Sequence, residues 1–172
     1  MIKPMLAYKV GKKEVDWSAK NFIQPKLDGV RCLIQYDNST VTAYSRTGKE
    51  WKNIDHILFN LKPWFQLNPN VILDGELYNH DLRNDFETII SLVRRQTPDD
   101  IDMLESRDLV QFHCYDIIHP DNSPFEDRNR FVKYCVNETD YVKVVSTMLC
   151  ASDDDAKEIH ATNLACGFEG SI

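Results

Sequence analysis

Apolar and polar positions in the first half of the chain fall into short β-prone runs. Phe22 to Lys26, Val30 to Asp37 and Thr40 to Arg46 are three of them, and the turn-forming Asp37-Asn38-Ser39 joins the last two. Together they predict an antiparallel meander. Ile54, Ile57, Leu58 and Leu61 then recur at i, i+3, i+4 and i+7, which places four apolar side chains on one helical face, and Pro63 is expected to limit that helix. Val71 to Tyr78 is too short for a stable helix and rich in β-formers before Asp74-Gly75, so it predicts a strand. A second helix follows. Asn84 is its expected N-cap, Phe86, Ile89, Ile90 and Val93 form its apolar stripe, Arg94 and Arg95 complement the dipole, and Thr97-Pro98 closes it.

Beyond a polar stretch, Leu109 to Ile118 predicts a core strand that leaves through the turn segment His119 to Pro124. Val142 to Met148 predicts a further strand. Ser152 with Asp155 three residues on resembles a capping box, opening a helix that stops at Gly167, and Phe168 to Ile172 begins one more strand. With no repeat, low-complexity tract or linker between these elements, the pattern predicts a single α+β domain over residues 1–172, with antiparallel sheets and packed helices. An end within a strand leads us to expect a continuation past Ile172.

Composition narrows the class. Hydrophobic residues make up 42% and charged residues 27%, the balance of a globular chain rather than a disordered or fibrous one. No run approaches the roughly 18 apolar residues of a membrane span, and the N-terminus lacks an apolar signal-type segment, so a cytoplasmic location without membrane contact is expected. Five widely spaced cysteines without a CxxC pair suggest neither a disulfide framework nor a zinc site. They are expected to be reduced and mostly buried. The net charge of −7 gives nucleic-acid binding no support at the level of the whole chain, although a local basic cleft responds to the field at the site and not to the sum.

The first chemical signal is Lys26-Leu27-Asp28-Gly29-Val30-Arg31 at a strand boundary. Taken by itself it has a simple explanation, since Asp-Gly between apolar runs is a favoured hairpin turn and Lys26 and Arg31 would then be flanking solvated charges. The segment Gln24 to Arg31 also resembles the nucleophile motif KxDGxR of ATP-dependent DNA ligases and their covalent nucleotidyltransferase relatives. Further segments resemble that family's motifs in its order. Ser45-Arg46-Thr47-Gly48 matches its second arginine motif, Leu73-Asp74-Gly75-Glu76-Leu77 its acidic strand motif, and Phe112-His113-Cys114-Tyr115-Asp116 its adenine-stacking motif. Phe168-Glu169-Gly170 matches its second acidic motif, and Pro124 to Arg128 looks like the link after the stacking motif. The lead Lys3-Pro4-Met5-Leu6-Ala7 is similar to the start of small ATP-dependent DNA ligases.

The resemblance implies an ATP-grasp-like nucleotidyltransferase domain in which Lys26 attacks the α-phosphate of ATP, forming lysyl-AMP and releasing pyrophosphate. Cationic neighbours such as Arg31, a bound metal or partial desolvation would favour the neutral amine. The family pattern further implies that Arg31 and Arg46 hold phosphate or the nick, where a guanidinium engages two oxygens. Glu76 would meet the ribose or support the metal, and Glu169 would be the main carboxylate for Mg²⁺ or Mn²⁺. Tyr115 would stack on adenine, and Gln24 would read the base edge with its amide. Asp28 would assist nick joining, unless its role is confined to the turn.

The implied partners are ATP, AMP and nicked double-stranded DNA, engaged by a monomer. The family's K-x-K strand and oligonucleotide-binding barrel would lie after Ile172, and only 25 residues precede Lys26, which leaves no room there for a nicotinamide-binding domain. RNA ligases and guanylyl-transferring capping enzymes share the lysine chemistry. A non-catalytic nucleotide- or DNA-binding module remains open as an alternative.

Overall fold

The computed structural model of the chain describes residues 4–5 and 15–172; of the lead segment, residues 3, 6 and 7 lie outside the described residues. A five-stranded sheet forms the centre, built from β3 (Val30–Asp37), β4 (Thr40–Tyr44), β5 (Ile72–Tyr78), β6 (Gln111–Ile118) and β7 (Val142–Val144) in the order β4-β3-β5-β6-β7. All neighbours are antiparallel except β6 and β7, which run parallel. Alternation along the strands divides the sheet into two faces. Cys32, Ile34, Ala43, Leu73, Leu77, Phe112 and Cys114 turn to the core, where they meet Ile57, Leu61 and Phe65 of α1 (Asp55–Leu67) and Ile89, Leu92 and Val93 of α2 (Phe86–Val93).

Three further α-helices among the described residues are α3 (Asp100–Leu109), α4 (Phe125–Cys135) and α5 (Asp153–Ala165). The expected capping serine does cap α5, where Ser152 accepts from the Asp155 N–H. The Asp155 carboxylate reaches back to the Ala151 N–H, one residue before the box position. Gly167 ends that helix at φ +88°, the left-handed geometry glycine adopts without strain.

Several expectations are corrected. Phe22 to Lys26 does not join the meander. It divides into β1 (Asn21–Ile23) and β2 (Pro25–Lys26), whose antiparallel partners are β8 (Met148–Cys150) and β9 (Gly170–Ser171), both near the far end of the chain. The run Val142 to Met148 likewise divides between β7 and β8. Helix α1 continues through Pro63 because packing beyond the proline outweighs the lost backbone bond: Phe65 is fully buried, and Trp64 Nε1 donates to the Cys135 carbonyl at 2.7 Å. Asp85, not Asn84, occupies the N-cap of α2, and Arg95 is drawn away from that helix to an ion pair with Asp102.

Helix α3 was hidden inside the polar stretch because its polarity is inverted. Its buried residues are Asp102 and Ser106, bonded around the buried Asn53, while Ile101 and Leu104 face outward. An Asp99/Asp102 capping box opens it. Helix α4 was similarly obscured within the motif-link segment. Of the cysteines, Cys32, Cys114 and Cys150 are buried, while Cys135 and Cys166 are exposed; all five are free thiols.

Candidate functional site

The sheet face opposite the core forms one wall of a cavity of about 770 Å³. Every residue singled out from the sequence lines it: Gln24, Lys26, Asp28, Arg31, Arg46, Glu76, Tyr115 and Glu169. A smaller hollow of about 400 Å³ between the start of α1 and α3 contains none of them.

The Lys26–Arg31 segment is not a hairpin. β2 pairs with β9, whereas β3 pairs with β4 and β5, so residues 27–29 carry the chain from one sheet to another. Gly29 serves close approach at this crossing. A Cβ there would lie 2.5 Å from Glu76 Cγ and 2.6 Å from the Leu77 carbonyl oxygen, so any side chain would lift the Lys26 loop off β5. On the other side, Lys26 aligns with Gly170 and its carbonyl accepts from the Glu169 N–H at 3.2 Å. This ladder sets Glu169 beside the lysine, and Lys26 Nζ makes an ion pair with Glu169 Oε1. Helix α5 anchors the ladder from behind through Asn163 Nδ2, which donates to Ser171 Oγ at 2.8 Å.

Arg31 and Glu76 are directly paired across β3 and β5. Arg31 Nε and Nη2 donate to the two carboxylate oxygens of Asp74, each at 2.5 Å, and the guanidinium lies 5.1 Å from the centroid of the Tyr115 ring. Burial works against the Arg31 charge, and the hydrogen bond and charge of Asp74, with Tyr115 and Glu76 adding, together more than offset it, so the guanidinium stays charged. Asp74 went without a role in the sequence analysis, although it stands inside the acidic strand motif. Arg46 lies in the turn after β4, where the Gly48 N–H donates to the Ser45 carbonyl at 2.9 Å, and no ion pair holds it among the described residues.

A β-bulge aims Tyr115. Opposite β5, Asp74 pairs with Asp116 and Gly75 with Cys114, which leaves Tyr115 as the extra residue. The alternation therefore slips by one, and Tyr115 and Asp116 both turn to the cavity. Asp116 is held there by Arg128 of α4, with hydrogen bonds of 2.8 and 2.9 Å. Burial, with Asp74 and Glu76 adding, pushes the Tyr115 phenol far above its ordinary range, so it remains a neutral donor, and its hydroxyl donates to Glu76 Oε2 at 3.3 Å.

Gln24, expected to read the base edge with its amide, is held by the protein at its amide nitrogen. Its Nε2 donates to the Tyr115 carbonyl at 3.1 Å and to Thr147 Oγ1 at 2.8 Å, so both amide hydrogens are engaged by the protein. Thr147 carried no signal in the sequence, because its importance comes from a contact between distant segments.

Burial pushes Glu76 up to about 7, with Arg31 and the Tyr115 hydroxyl opposing the shift. Between its ordinary 4.5 and about 7 this carboxyl binds more protons folded than unfolded. Its contribution to stability is therefore full below pH 4.5 and is lost as pH rises through 7. Glu76→Gln, which does not titrate, is expected to run parallel to the native protein under acid conditions and to exceed it by up to about 3 kcal/mol at pH 8. Urea unfolding of both proteins across that range checks this; curves that stay parallel throughout would contradict it.

Carboxylate oxygens are the ligands a hard divalent cation takes, and Mg²⁺ completes its shell with waters and phosphate oxygens around one or two carboxylates. Glu169, in its ion pair with Lys26, fits such a cation better than Glu76, whose proton is retained toward neutral pH. Among the described residues no group of three or more His, Cys, Asp or Glu gathers as a ready-made cage.

Known proteins similar to this chain are DNA ligases. A DNA ligase of Archaeoglobus fulgidus is 26% identical over 155 residues, covering 86% of this chain and 27% of the relative. A DNA ligase of African swine fever virus is 26% identical over 182 residues, covering all of this chain and 41% of the relative. The chain thus spans about a quarter to two fifths of the length of these relatives. A solved structure of a Lig E DNA ligase, described as binding DNA with a minimal scaffold, superposes with a TM-score of 0.70 at 21% identity, over 99% of this chain and 60% of that one, and shares the fold. The family model described as "ATP dependent DNA ligase domain" matches residues 4–172, and the chain belongs to that family.

Proposed function

We propose that residues 1–172 are an adenylation domain that takes AMP from ATP onto Lys26, as the first step of sealing nicked double-stranded DNA. The observation that carries this reading is the convergence of Lys26, Arg31, Arg46, Glu76, Tyr115 and Glu169 on one cavity. In the proposed step the Lys26 amine forms a bond to the α-phosphorus, the bond from that phosphorus to the bridging oxygen breaks, pyrophosphate leaves, and the amine's proton passes to solvent. A divalent cation bound with the nucleotide would offset phosphate charge. The chain's own groups do the rest. Tyr115 holds the base by its ring face, the cationic Arg31 and Arg46 face the phosphates, and Glu76, which keeps its proton up to about pH 7, meets the ribose.

In the following steps AMP passes from Lys26 to the 5′-phosphate of the nick, and the 3′-hydroxyl attacks that phosphate and releases AMP. The proposal places the protein in the cytoplasm as a monomer. No described helix is long and apolar enough to cross a membrane.

The test is labelling with α-labelled ATP and Mg²⁺, with α-labelled GTP and adenylate-labelled NAD in parallel. Label from ATP should stay with the polypeptide through denaturing electrophoresis and be released by acid, as a phosphoramidate is. Stable labelling from GTP or NAD alone would overturn the choice of ATP.

A further inference from the structure

The base-edge contact rests on a hydrogen-bond chain that reaches beyond the cavity wall. Gln24 Nε2 lies 3.1 Å from the Tyr115 carbonyl oxygen and 2.8 Å from Thr147 Oγ1. A carbonyl oxygen only accepts, so the amide atom facing it is the nitrogen, whichever way the group is first drawn. Thr147 Oγ1 accepts a second amide hydrogen from Asn129 Nδ2 of α4 at 2.7 Å and donates its own hydrogen to the Val145 carbonyl at 3.4 Å. One hydrogen and two lone pairs complete the capacity of that hydroxyl. It therefore adds a second, independent reason for Gln24 to present nitrogen on that side. No described residue donates to Gln24 Oε1, and Gln24 lines the cavity beside Tyr115.

We infer that Thr147, held by Asn129, is a positioning residue that locks the Gln24 amide so that only its carbonyl oxygen is offered to the nucleobase, selecting a 6-aminopurine over a 6-oxopurine. This inference rests on the proposed nucleotide site and adds the origin of its base preference. An amino group at the purine 6-position donates to Oε1. A 6-oxo group brings a second acceptor against it, and an unsubstituted ring leaves it without a donor. The amide also docks on the backbone of the stacking residue itself, so the edge contact and the ring contact keep a constant relation.

Isothermal titration of ATP, inosine triphosphate and purine riboside triphosphate into the chain tests this without requiring catalysis. ATP is expected to bind about tenfold more tightly than either analogue. In Thr147→Val the ratio of ATP to inosine triphosphate affinity should fall about fivefold. Thr147→Ser, which restores the hydroxyl, should recover it. A role confined to folding would weaken all three nucleotides alike and leave the ratio unchanged. Equal affinity of the native protein for the three nucleotides overturns the inference while the nucleotide site stands, and so does an unchanged ratio in Thr147→Val. Absence of binding by all three overturns the nucleotide site beneath it. Equal affinities in the analogue series on the native chain overturn the inference even if the valine variant does not fold.

Discussion

Lys26→Ala is expected to abolish covalent labelling by ATP, with at least a thousandfold loss of signal, because alanine has no group that can bond to phosphorus. Lys26→Arg should fail equally. Its guanidinium keeps the charge facing Glu169 but is not deprotonated in proteins, so it supplies no nucleophile. These variants should remain folded, since the lysine and Glu169 side chains are 39% and 46% exposed and an ion pair so open to solvent contributes about 1 kcal/mol or less. Denaturing electrophoresis after incubation with α-labelled ATP reads the label, and thermal unfolding reads the fold. Undiminished labelling of Lys26→Ala would remove the central proposal.

Phe112→Ala should have the largest effect on stability, a loss of about 3–5 kcal/mol in urea unfolding. Phe112 is fully buried on β6, and its ring lies across Gly75 of β5 so closely that a Cβ on that glycine would sit 2.6 Å from ring atoms and 2.4 Å from the His113 carbonyl oxygen. The absence of a side chain at Gly75 and the bulk of Phe112 are two halves of one packing arrangement. A natural domain is stable by about 5–15 kcal/mol, so the substitution removes about a fifth or more of the total. The same strand carries Tyr115 on its opposite face, so loosening it should also weaken nucleotide binding in native buffer. A loss below about 1 kcal/mol would show that the neighbouring strands close over the space, contrary to this account.

Much of the candidate site's composition was legible along the chain because its residues stand in short local segments that resemble a family's motifs. Lys26, Asp28 and Arg31 fall within six positions, Glu76 sits in a strand with a readable β pattern, and Tyr115 stands in the run from Leu109 to Ile118. The strands Val30–Asp37 and Ile72–Tyr78 were legible for a related reason: side-chain periodicity and turn chemistry act between near neighbours. Contacts between distant segments were not written in any such pattern. Pairing of β2 with β9 makes Glu169 the partner of Lys26 and replaces the expected hairpin, and the energy that selects it comes from backbone hydrogen bonds between opposite ends of the chain.

Helix α3 buries Asp102 and Ser106 because Asn53, Leu92 and Arg95 supply their surroundings, so hydrophobic period alone pointed away from it. The bulge at Tyr115 follows from the offset between β5 and β6, and the orientation of Gln24 from a carbonyl and a hydroxyl contributed by residues far along the chain. Residue types and their local spacing were thus determined by the sequence alone. Which side chain faces which, and with which atoms, was decided by tertiary packing, because hydrogen-bond partners and burial are properties of segments brought together in space.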